Sequence, residues 1–210
     1  MTVLPTAIPD VLLIEPRRFG DRRGFFSETY SRKAFSDIGI TSEFVQDNQS
    51  LSGPVGVLRG LHFQAPPKAQ DKLVRCTRGA ILDVAVDIRH GSPTFGRWVA
   101  AEISADNWRQ IFVPKGFAHG FVTLLPETEV CYKVSDYYSP ADERGIRFDD
   151  PALGIDWRID PAQATLSDRD RAHPALADLP VFFRYEAPRA PADAAAVVVG
   201  RSLQPTDRSL

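Results

Sequence analysis

Short apolar or alternating segments recur along the chain between positions rich in Gly, Pro, Asp and Ser. The clearest is segment 80–89, where every second residue is aliphatic, in the order Leu82, Val84, Val86 and Ile88. A hydrophobic period of two predicts a β-strand. Eight other segments have a similar length or pattern: 11–14, 25–30, 56–64, 72–76, 97–103, 109–113, 120–125 and 129–137. Many short strands separated by turn residues predict an all-β sandwich, jelly roll or barrel.

One segment favours a helix rather than a strand. Residues 31–38 begin with the N-cap candidate Ser31 and are followed by Gly39, which is typical of a helix stop.

The last third of the chain has a different character. After about residue 149 it becomes irregular and rich in Asp and Pro, so we expect it to wrap a preformed core. The expected anchors are Trp157, Leu166, Leu176 and Phe182. Beyond Tyr185 the composition shifts to Ala, Pro, Val and scattered charges without an amphipathic period. We therefore predict one domain over residues 1–186 and a disordered extension over residues 187–210.

Composition narrows the class of protein. Of the 210 residues 43% are apolar, and the formal net charge is −2, so the chain can bury a full core but has no general field that attracts nucleic acid. The two cysteines, Cys76 and Cys131, lie in apolar segments, and the N-terminus lacks a signal pattern. No apolar run approaches the roughly 18 residues of a membrane span. We expect a cytoplasmic protein that binds neither nucleic acid nor membrane.

Two of the four histidines lie in dense polar and aromatic surroundings. His62 belongs to the strand segment RGLHFQ (59–64), and His119 ends the segment VPKGFAH (113–119), which is predicted to turn between two strands. The spacing Pro-x-Gly-x-x-His in the second segment resembles the second motif of cupins, a double-stranded β-helix family that often binds a metal. His90 and His173 are expected to be surface residues.

The metal motif of the cupins is incomplete in this chain. A cupin metal site requires His-x-His and a following Glu besides the later His, because a divalent cation takes three or four converging N or O ligands. Here Gln64 stands two residues after His62, no Glu follows at the expected offset, and Lys72 would add a positive charge. The sequence therefore favours a barrel without a metal.

Eight segments together resemble the dTDP-4-dehydrorhamnose 3,5-epimerase family over about residues 11–185, in the same order and with matching spacing. They are DRRGFFSE (21–28), QDNQS (46–50), RGLHFQ (59–64), QDKLVR (70–75), VPKGFAHGF (113–121), YKVSDYYSP (132–140), ERGI (143–146) and LSDRD (166–170). The resemblance implies a cupin-like jelly roll, or double-stranded β-helix barrel, with short peripheral helices. It also implies a homodimeric isomerase of dTDP-L-rhamnose biosynthesis that uses no nicotinamide, flavin or metal.

The resemblance implies a reaction in which the C4 ketone of dTDP-4-dehydro-6-deoxy-D-glucose acidifies the hydrogens on C3 and C5. A base removes one hydrogen, an enolate forms, and an acid protonates it on the opposite face, giving dTDP-4-dehydro-L-rhamnose. Imidazole suits the base near neutral pH, and a carboxylate on its second nitrogen stabilises the imidazolium. By resemblance the base pair is His62 with Asp170, the acid is Tyr132, and Lys72 stabilises the enolate oxygen.

The resemblance also implies the substrate-binding residues. Arg23, Arg59 and Arg169 are expected to hold the pyrophosphate, because guanidinium groups match phosphate oxygens, and the segment around Arg23 is expected to belong to the neighbouring subunit. The remaining expected contacts are Phe26, Glu28, Gln46, Asp47 and Asn48 around the nucleoside, Tyr138 stacked on thymine, and His119 and Glu143 near the sugar.

From the residues alone, each assignment has an ordinary alternative. Tyr132 shares a strand face with apolar neighbours, which is typical of a core phenol, and Asp170 lies in a segment typical of a solvated loop. Strict alternation places Arg59 and His62 on opposite faces of their strand unless Gly60 allows a bulge.

Other functions also remain open. An enzyme with these motifs inverts both centres or only one. A metal-dependent cupin, such as a dioxygenase or a sugar-phosphate isomerase, is disfavoured by Gln64. A catalytically silent sugar-nucleotide-binding protein is disfavoured because His62, Lys72, Tyr132 and Asp170 are present together.

Overall fold

The strongest alternation in the sequence marks a central strand of the structure. In the computed structural model, which describes residues 1–187, this segment forms β8 (Ala80–Asp87). Every residue of β8 is buried, and neighbours such as Ile81 and Leu82 belong to different apolar clusters on its two sides. β8 therefore lies between two apolar layers rather than at a half-exposed surface.

The described chain is mostly strand. The other strands are β1 (Thr2–Leu4), β2 (Leu12–Glu15), β3 (Phe19–Asp21), β4 (Gly24–Phe26), β5 (Gln46–Ser52), β6 (Leu58–Gln64), β7 (Lys72–Arg78), β9 (Arg89–His90), β10 (Trp98–Ser104), β11 (Gln110–Val113), β12 (Phe117–Thr123), β13 (Thr128–Val134), β14 (Glu143–Gly145) and β15 (Phe183–Arg184). The helices are α1 (Arg32–Ser36), α2 (Asp168–Arg171) and two 3₁₀ turns, Pro161–Gln163 and Leu176–Asp178. The all-β prediction is confirmed, and each predicted strand segment overlaps an observed strand. The long strand β5 and the short strands β1, β3, β14 and β15 were not predicted.

Two antiparallel sheets form the body of the fold. The six-stranded sheet has the order β1-β2-β11-β7-β13-β5, and the five-stranded sheet has the order β10-β8-β12-β6-β14. Their facing sides bury one apolar cluster, to which Val74 and Val130 come from the first sheet and Ile103 and Phe121 from the second. Removal of this apolar surface from water holds the sheets together.

Each sheet also has an outer cover. α1 begins as predicted after the N-cap Ser31, whose Oγ accepts from the amide of Ala34 at 3.5 Å, and it buries Phe35 against Leu73 of the six-stranded sheet. The irregular segment after residue 149 covers the five-stranded sheet. All four predicted anchors belong to that outer cluster, and Trp157 is its most buried member among them.

The bulge predicted at Gly60 is present. The register of β6 against β12 shifts by one residue between Arg59 and His62, and Gly60 has a φ of +129°. A Cβ at this position would lie 2.5 Å from the Cα of Gly120. The close approach of two backbones therefore requires glycine here.

Two further expectations concern the C-terminal extension and membrane-spanning segments. The predicted extension over residues 187–210 lies, except for Ala187, outside the described residues, so the division into a domain and a tail stays a prediction. Within residues 1–187, no helix combines the length and apolar character needed to cross a membrane.

Candidate active site

A cavity of about 510 Å³ opens between the two sheets, which is in the size range of small-ligand sites. The five-stranded sheet contributes His62 and His119, and the six-stranded sheet contributes Lys72 and Tyr132. A neighbouring cavity of about 290 Å³ shares His62, Lys72 and Tyr132 with it. The four side chains reach one space from two opposite walls.

His62 is paired with a buried carboxylate. Its Nε2 lies 2.5 Å from Asp170 Oδ1, and Asp170 is held in the first turn of α2, where its amide donates to Ser167 Oγ at 3.1 Å. Burial would raise the pKa of Asp170, but the hydrogen bond from His62 and the charge of His62 hold it below its ordinary value. The carboxylate is therefore ionised at neutral pH, and Nδ1 is the His62 nitrogen that stays free for another partner.

Lys72 places an amine beside this pair. The side chain is buried, and its Nζ donates to the backbone oxygen of His62 at 3.2 Å. Burial lowers the pKa of Lys72 to about 8, although the charges of Asp83 and Glu143 oppose the shift. The ammonium form still predominates at pH 7, so the cavity contains a buried cation close to the histidine.

Tyr132 occupies an inward position of β13, between Val130 and Val134. Burial raises the pKa of its phenol, while the charge of Arg59 opposes the shift. The phenol therefore stays protonated at neutral pH. It is both a core residue, packed against the interior cluster, and a part of the cavity wall.

A second histidine–carboxylate pair lies deeper in the fold. His119 is the third residue of β12, not part of the preceding turn, and its Nε2 lies 2.9 Å from each oxygen of Asp83. Asp83 is fully buried. The Asp83 side chain therefore lies on the side of β8 that faces His119.

Three side chains form a linked group at the edge of the cavity. The Tyr138 hydroxyl donates to Glu143 Oε2 at 2.5 Å, and Arg169 Nη1 lies 2.6 Å from the same oxygen. Glu143 lines both cavities, whereas Tyr138 lines the smaller one and Arg169 the larger. The group places an exposed aromatic ring and an exposed guanidinium beside the cavity.

The remaining predicted binding residues separate into two groups. Gln46 and Asn48 line the smaller cavity and Arg59 lines the larger one, because the bulge at Gly60 brings Arg59 to the same side as His62. Asp47 lies on the other face of β5, where its carboxylate contacts Lys133 Nζ at 2.8 Å.

The β3–β4 hairpin and the residues after it lie outside the cavity of their own chain. Arg23, Phe26 and Glu28 are exposed, Arg23 is paired with Asp21 of the same hairpin, and Phe26 is 70% exposed. The structure brings together the other predicted residues except Asp47, but not these three.

Gln64 stands at the position of a second cupin metal ligand. Its side-chain amide is hydrogen-bonded to backbone groups. Its Nε2 donates to the carbonyls of Lys68 (2.6 Å) and Tyr137 (3.2 Å), and its Oε1 accepts from the amide of Ser139 (2.7 Å). The amide therefore fixes the loop that carries Tyr138.

His173 is a neighbour of the His62–Asp170 pair that the sequence analysis missed. It was expected at the surface with His90, and His90 is exposed, but the His173 side chain is only 11% exposed and packs beside Asp170. One ring nitrogen of His62, one ring nitrogen of His173 and a carboxylate oxygen of Asp170 lie within 4.8 Å of one another. Nothing in the local sequence pattern marks His173. The one available signal was its position three residues after Asp170, which belongs to a family motif.

Comparison with known proteins gives consistent matches. A family model described as dTDP-4-dehydrorhamnose 3,5-epimerase matches residues 5–178. The dTDP-4-dehydrorhamnose 3,5-epimerase of Sinorhizobium fredii is 54% identical over 85% of this chain and 91% of that protein.

Solved structures agree with these matches. The dTDP-6-deoxy-D-glucose-3,5-epimerase of Legionella pneumophila in complex with dTDP-4-keto-L-rhamnose is 46% identical, with a TM-score of 0.85 over 89% of this chain and 99% of that one. The dTDP-4-dehydrorhamnose 3,5-epimerase of Bacillus anthracis with TDP and PPi bound is 51% identical, with a TM-score of 0.80 over 83% and 98%. The fold is thus the predicted cupin-like jelly roll.

Proposed function

The chain belongs to the dTDP-4-dehydrorhamnose 3,5-epimerase family and is an isomerase of dTDP-L-rhamnose biosynthesis, and we propose that His62 and Tyr132 exchange the protons of this reaction. The substrate is dTDP-4-dehydro-6-deoxy-D-glucose, which is inverted at C3 and C5. One observation carries the proposal: His62 and Tyr132 enter a single cavity from opposite sheets. Inversion requires a base and an acid on opposite faces of the sugar, and this arrangement supplies both.

His62 acts as the base through Nδ1. Because Nε2 faces Asp170 Oδ1 at 2.5 Å, the neutral ring carries its proton on Nε2 and keeps the Nδ1 lone pair for the sugar. The proton leaves C3 or C5 for Nδ1, and the C–H electron pair moves to the C4 oxygen as the enolate forms. The ionised Asp170 stabilises the resulting imidazolium.

Lys72 stabilises the enolate oxygen, and Tyr132 completes the inversion. A buried ammonium is effective for a developing oxyanion, because little water screens it. The Tyr132 phenol then gives its proton to the carbon from the face opposite His62. Solvent reprotonates the phenolate and takes the proton from His62, so each inversion replaces one carbon-bound hydrogen with one from water.

The substrate-binding roles follow the placement of the side chains. Arg59 and Arg169 hold the pyrophosphate with guanidinium forks at the cavity mouth. Gln46 and Asn48 contact the nucleoside side, and the exposed ring of Tyr138 stacks on thymine. His119, held by Asp83, and Glu143 lie nearest the sugar.

Arg23, Phe26 and Glu28 serve the site of a second subunit in a homodimer. Among the described residues, β3 and β4 pair only with each other, and a two-stranded hairpin on its own is marginal in water. It exposes Phe25 and Phe26 among arginines, which is typical of a contact surface. A nucleotide bound in the partner's cavity presents anionic phosphates and an aromatic base to the arginine and phenylalanine side chains of this hairpin. Asp47, which faces away from His62, remains a candidate for the same interface.

No cofactor takes part in this proposal. Proton abstraction next to a ketone needs no redox group, the Gln64 amide is committed to backbone contacts, and the buried Lys72 adds positive charge next to His62. The protein acts in the cytoplasm, in agreement with the free thiols of Cys76 and Cys131.

A solvent-exchange experiment tests the proposed function. Purified protein is incubated with dTDP-4-dehydro-6-deoxy-D-glucose in deuterated water without added cofactor, and the product is analysed by NMR. We expect inverted product with deuterium at both C3 and C5. Deuterium and inversion at one carbon would replace the double inversion with a single one, and the absence of any exchange would overturn the proposed function.

A further inference from the structure

His173 shares the carboxylate oxygen that His62 uses. Its Nε2 lies 3.6 Å from Asp170 Oδ1, the same atom that His62 Nε2 contacts at 2.5 Å. This Nε2 is buried and has no hydrogen-bond partner within 3.5 Å. The two imidazole rings are 5.5 Å apart and nearly perpendicular, at 79°. Asp170 therefore has an imidazole on each side.

The fold makes room for the His173 ring. A Cβ on Gly145 would lie 2.3 Å from His173 Nε2, so any larger residue in this position of β14 would expel the ring. Gly145 is paired directly with His62 in the sheet. The segment that contains His173 is also hydrogen-bonded to the chain that follows β14, because the amide of Arg147 donates to the carbonyl of Pro174 at 2.9 Å.

The charged groups around His173 come from three elements. Asp170 and Arg169 lie on α2, His62 on β6 and Glu143 on β14. Burial lowers the pKa of His173, and the charges of His62 and Arg169 lower it further, against the opposing effects of Asp170 and Glu143.

His173 is thus neutral at working pH and carries one ring proton. A lone pair on Nε2 would face the ionised oxygen of Asp170 and repel it, whereas an N–H on Nε2 is attracted. The proton therefore belongs on Nε2, directed at Asp170.

We propose that His173 is a positioning residue for the His62–Asp170 pair, on which it acts by directing its Nε2–H at Asp170 Oδ1 across 3.6 Å, a charge–dipole contact that is longer than a hydrogen bond. The inference rests on the proposed role of His62 as the base. His173 does not line the substrate cavity, so it acts through the His62–Asp170 pair and not on the substrate. It fixes the carboxylate and withdraws part of its negative charge, which weakens the stabilisation of the His62 imidazolium and adjusts the strength of the base.

Two substitutions separate the donor from the volume of the ring. His173→Leu fills the space but removes the N–H, whereas His173→Gln returns an N–H donor near the position of Nε2. In His173→Leu, Asp170 directs its whole charge at His62, so His62 binds a proton more readily. We expect the acid limb of kcat/KM to move to higher pH, with kcat at pH 7 lower by up to about tenfold, which corresponds to about 1.4 kcal/mol, and KM almost unchanged.

His173→Gln is expected to restore both the limb and most of kcat. His90→Leu is the matched control, since His90 is exposed and stacks on Phe95 away from the cavity, and its profile should equal that of the unsubstituted protein. An unchanged acid limb in His173→Leu, a shift to lower pH, or the same displacement in the Leu and Gln variants would overturn the proposal.

A measurement without substrate separates this inference from the proposed function. Nitrogen-15 NMR of the histidine rings, assigned with the His173→Gln variant, should show His173 neutral and protonated on Nε2 at pH 7. An Nδ1 tautomer or a doubly protonated ring would contradict the inference even if the enzyme epimerises normally. If the tautomer is as expected but the protein exchanges no hydrogen with solvent, the proposed function fails instead.

Discussion

Arg59 and His62 line the same cavity although they stand three positions apart on one strand. In a regular strand such residues point to opposite faces. The one-residue shift of β6 against β12 changes this, so a guanidinium and an imidazole from one strand face the same cavity. The bulge thus decides which side chains of β6 form the cavity wall.

The geometry of the bulge predicts that adding one methyl group at Gly60 lowers both stability and activity. Gly60→Ala places a Cβ 2.5 Å from the Gly120 Cα in a backbone conformation that L residues rarely adopt. We expect a loss of more than about 2 kcal/mol in the free energy of unfolding, since strained backbone alone costs about 1–3 kcal/mol, and activity reduced by more than about 100-fold. Urea unfolding and the epimerase assay measure both.

Gly91→Ala is the control for this prediction. Gly91 also has a positive φ, +83°, but a Cβ there meets nothing within 4 Å. It should cost only the conformational strain and leave the activity intact. Equal stability and activity of both variants would show that the close approach at Gly60 is unimportant.

The sequence predicted the elements whose inner faces are apolar. The alternation in segment 80–89 and the capped segment 31–38 appear as β8 and α1. β5 was missed because its inward positions Gln46, Asn48 and Ser50 face the substrate cavities rather than the core, so polar residues occupy both of its faces. A strand that lines a polar cavity carries no hydrophobic period.

The proposed catalytic groups were assigned through the family motifs, whereas not all of their neighbours could be assigned in this way. Asp170 was assigned because its motif matched, and the structure pairs it with His62 across 108 residues of chain. His173 has no motif, and its place depends on the space over Gly145, a contact between distant segments that local sequence does not reveal. Asp47 fails to join the cavity because alternation along β5 directs it to the other face.

The buried charge of Lys72 is expected to lower the stability of the fold at neutral pH while it supports the proposed reaction. Its pKa of about 8 lies below the ordinary 10.5, so between these pH values the unfolded chain binds more protons, and stability rises with pH in that window. Below pH 8 the buried charge costs stability. Lys72→Met should therefore raise the free energy of unfolding at pH 7 by on the order of 1–3 kcal/mol, while epimerase activity is lost. The gain should vanish above about pH 10, and a variant that is less stable at pH 7 would contradict the buried-charge argument.

Metal removal should leave the enzyme active. Protein dialysed against a strong chelator, with its metal content measured by mass spectrometry, is expected to keep its full rate because base, acid and oxyanion stabiliser are all side chains. Among the described residues, His62, Asp170 and His173 have donor atoms close enough together to hold a metal ion. A metal found in the purified protein would therefore be sought at these three residues. Loss of activity that one divalent metal restores would replace this mechanism with a metal-dependent one.

The shared site predicts complementation between inactive subunits. If Arg23 completes the neighbour's cavity, Arg23→Ala and His62→Ala proteins are each nearly inactive, yet a mixed dimer contains one site with both residues intact. After complete exchange of an equal mixture, about a quarter of the full activity should return, since half the dimers are mixed and each has one good site.

The matched control for this experiment combines Lys72→Ala with His62→Ala. Both residues line the same cavity of one chain, so every site of a mixed dimer keeps one defect and no activity should return. If the Arg23 pair also recovers nothing although exchange is verified by mass spectrometry, Arg23 acts within its own subunit or not at all.

The opposed placement of His62 and Tyr132 predicts that exchange and inversion separate in two variants. His62→Ala removes the proton acceptor and should abolish both solvent exchange and epimerisation, by at least the roughly 100-fold that a positioned base contributes. Tyr132→Phe preserves the packing in β13 but deletes the phenolic proton. The enolate still forms and is reprotonated from the side it left, so deuterium enters the sugar faster than the centre inverts. Normal epimerisation by Tyr132→Phe would show that water or another phenol, such as Tyr138 at the cavity edge, delivers the proton. Exchange at both carbons in His62→Ala would show that the base is not His62, because the remaining residues would then remove both hydrogens without the imidazole that Asp170 holds.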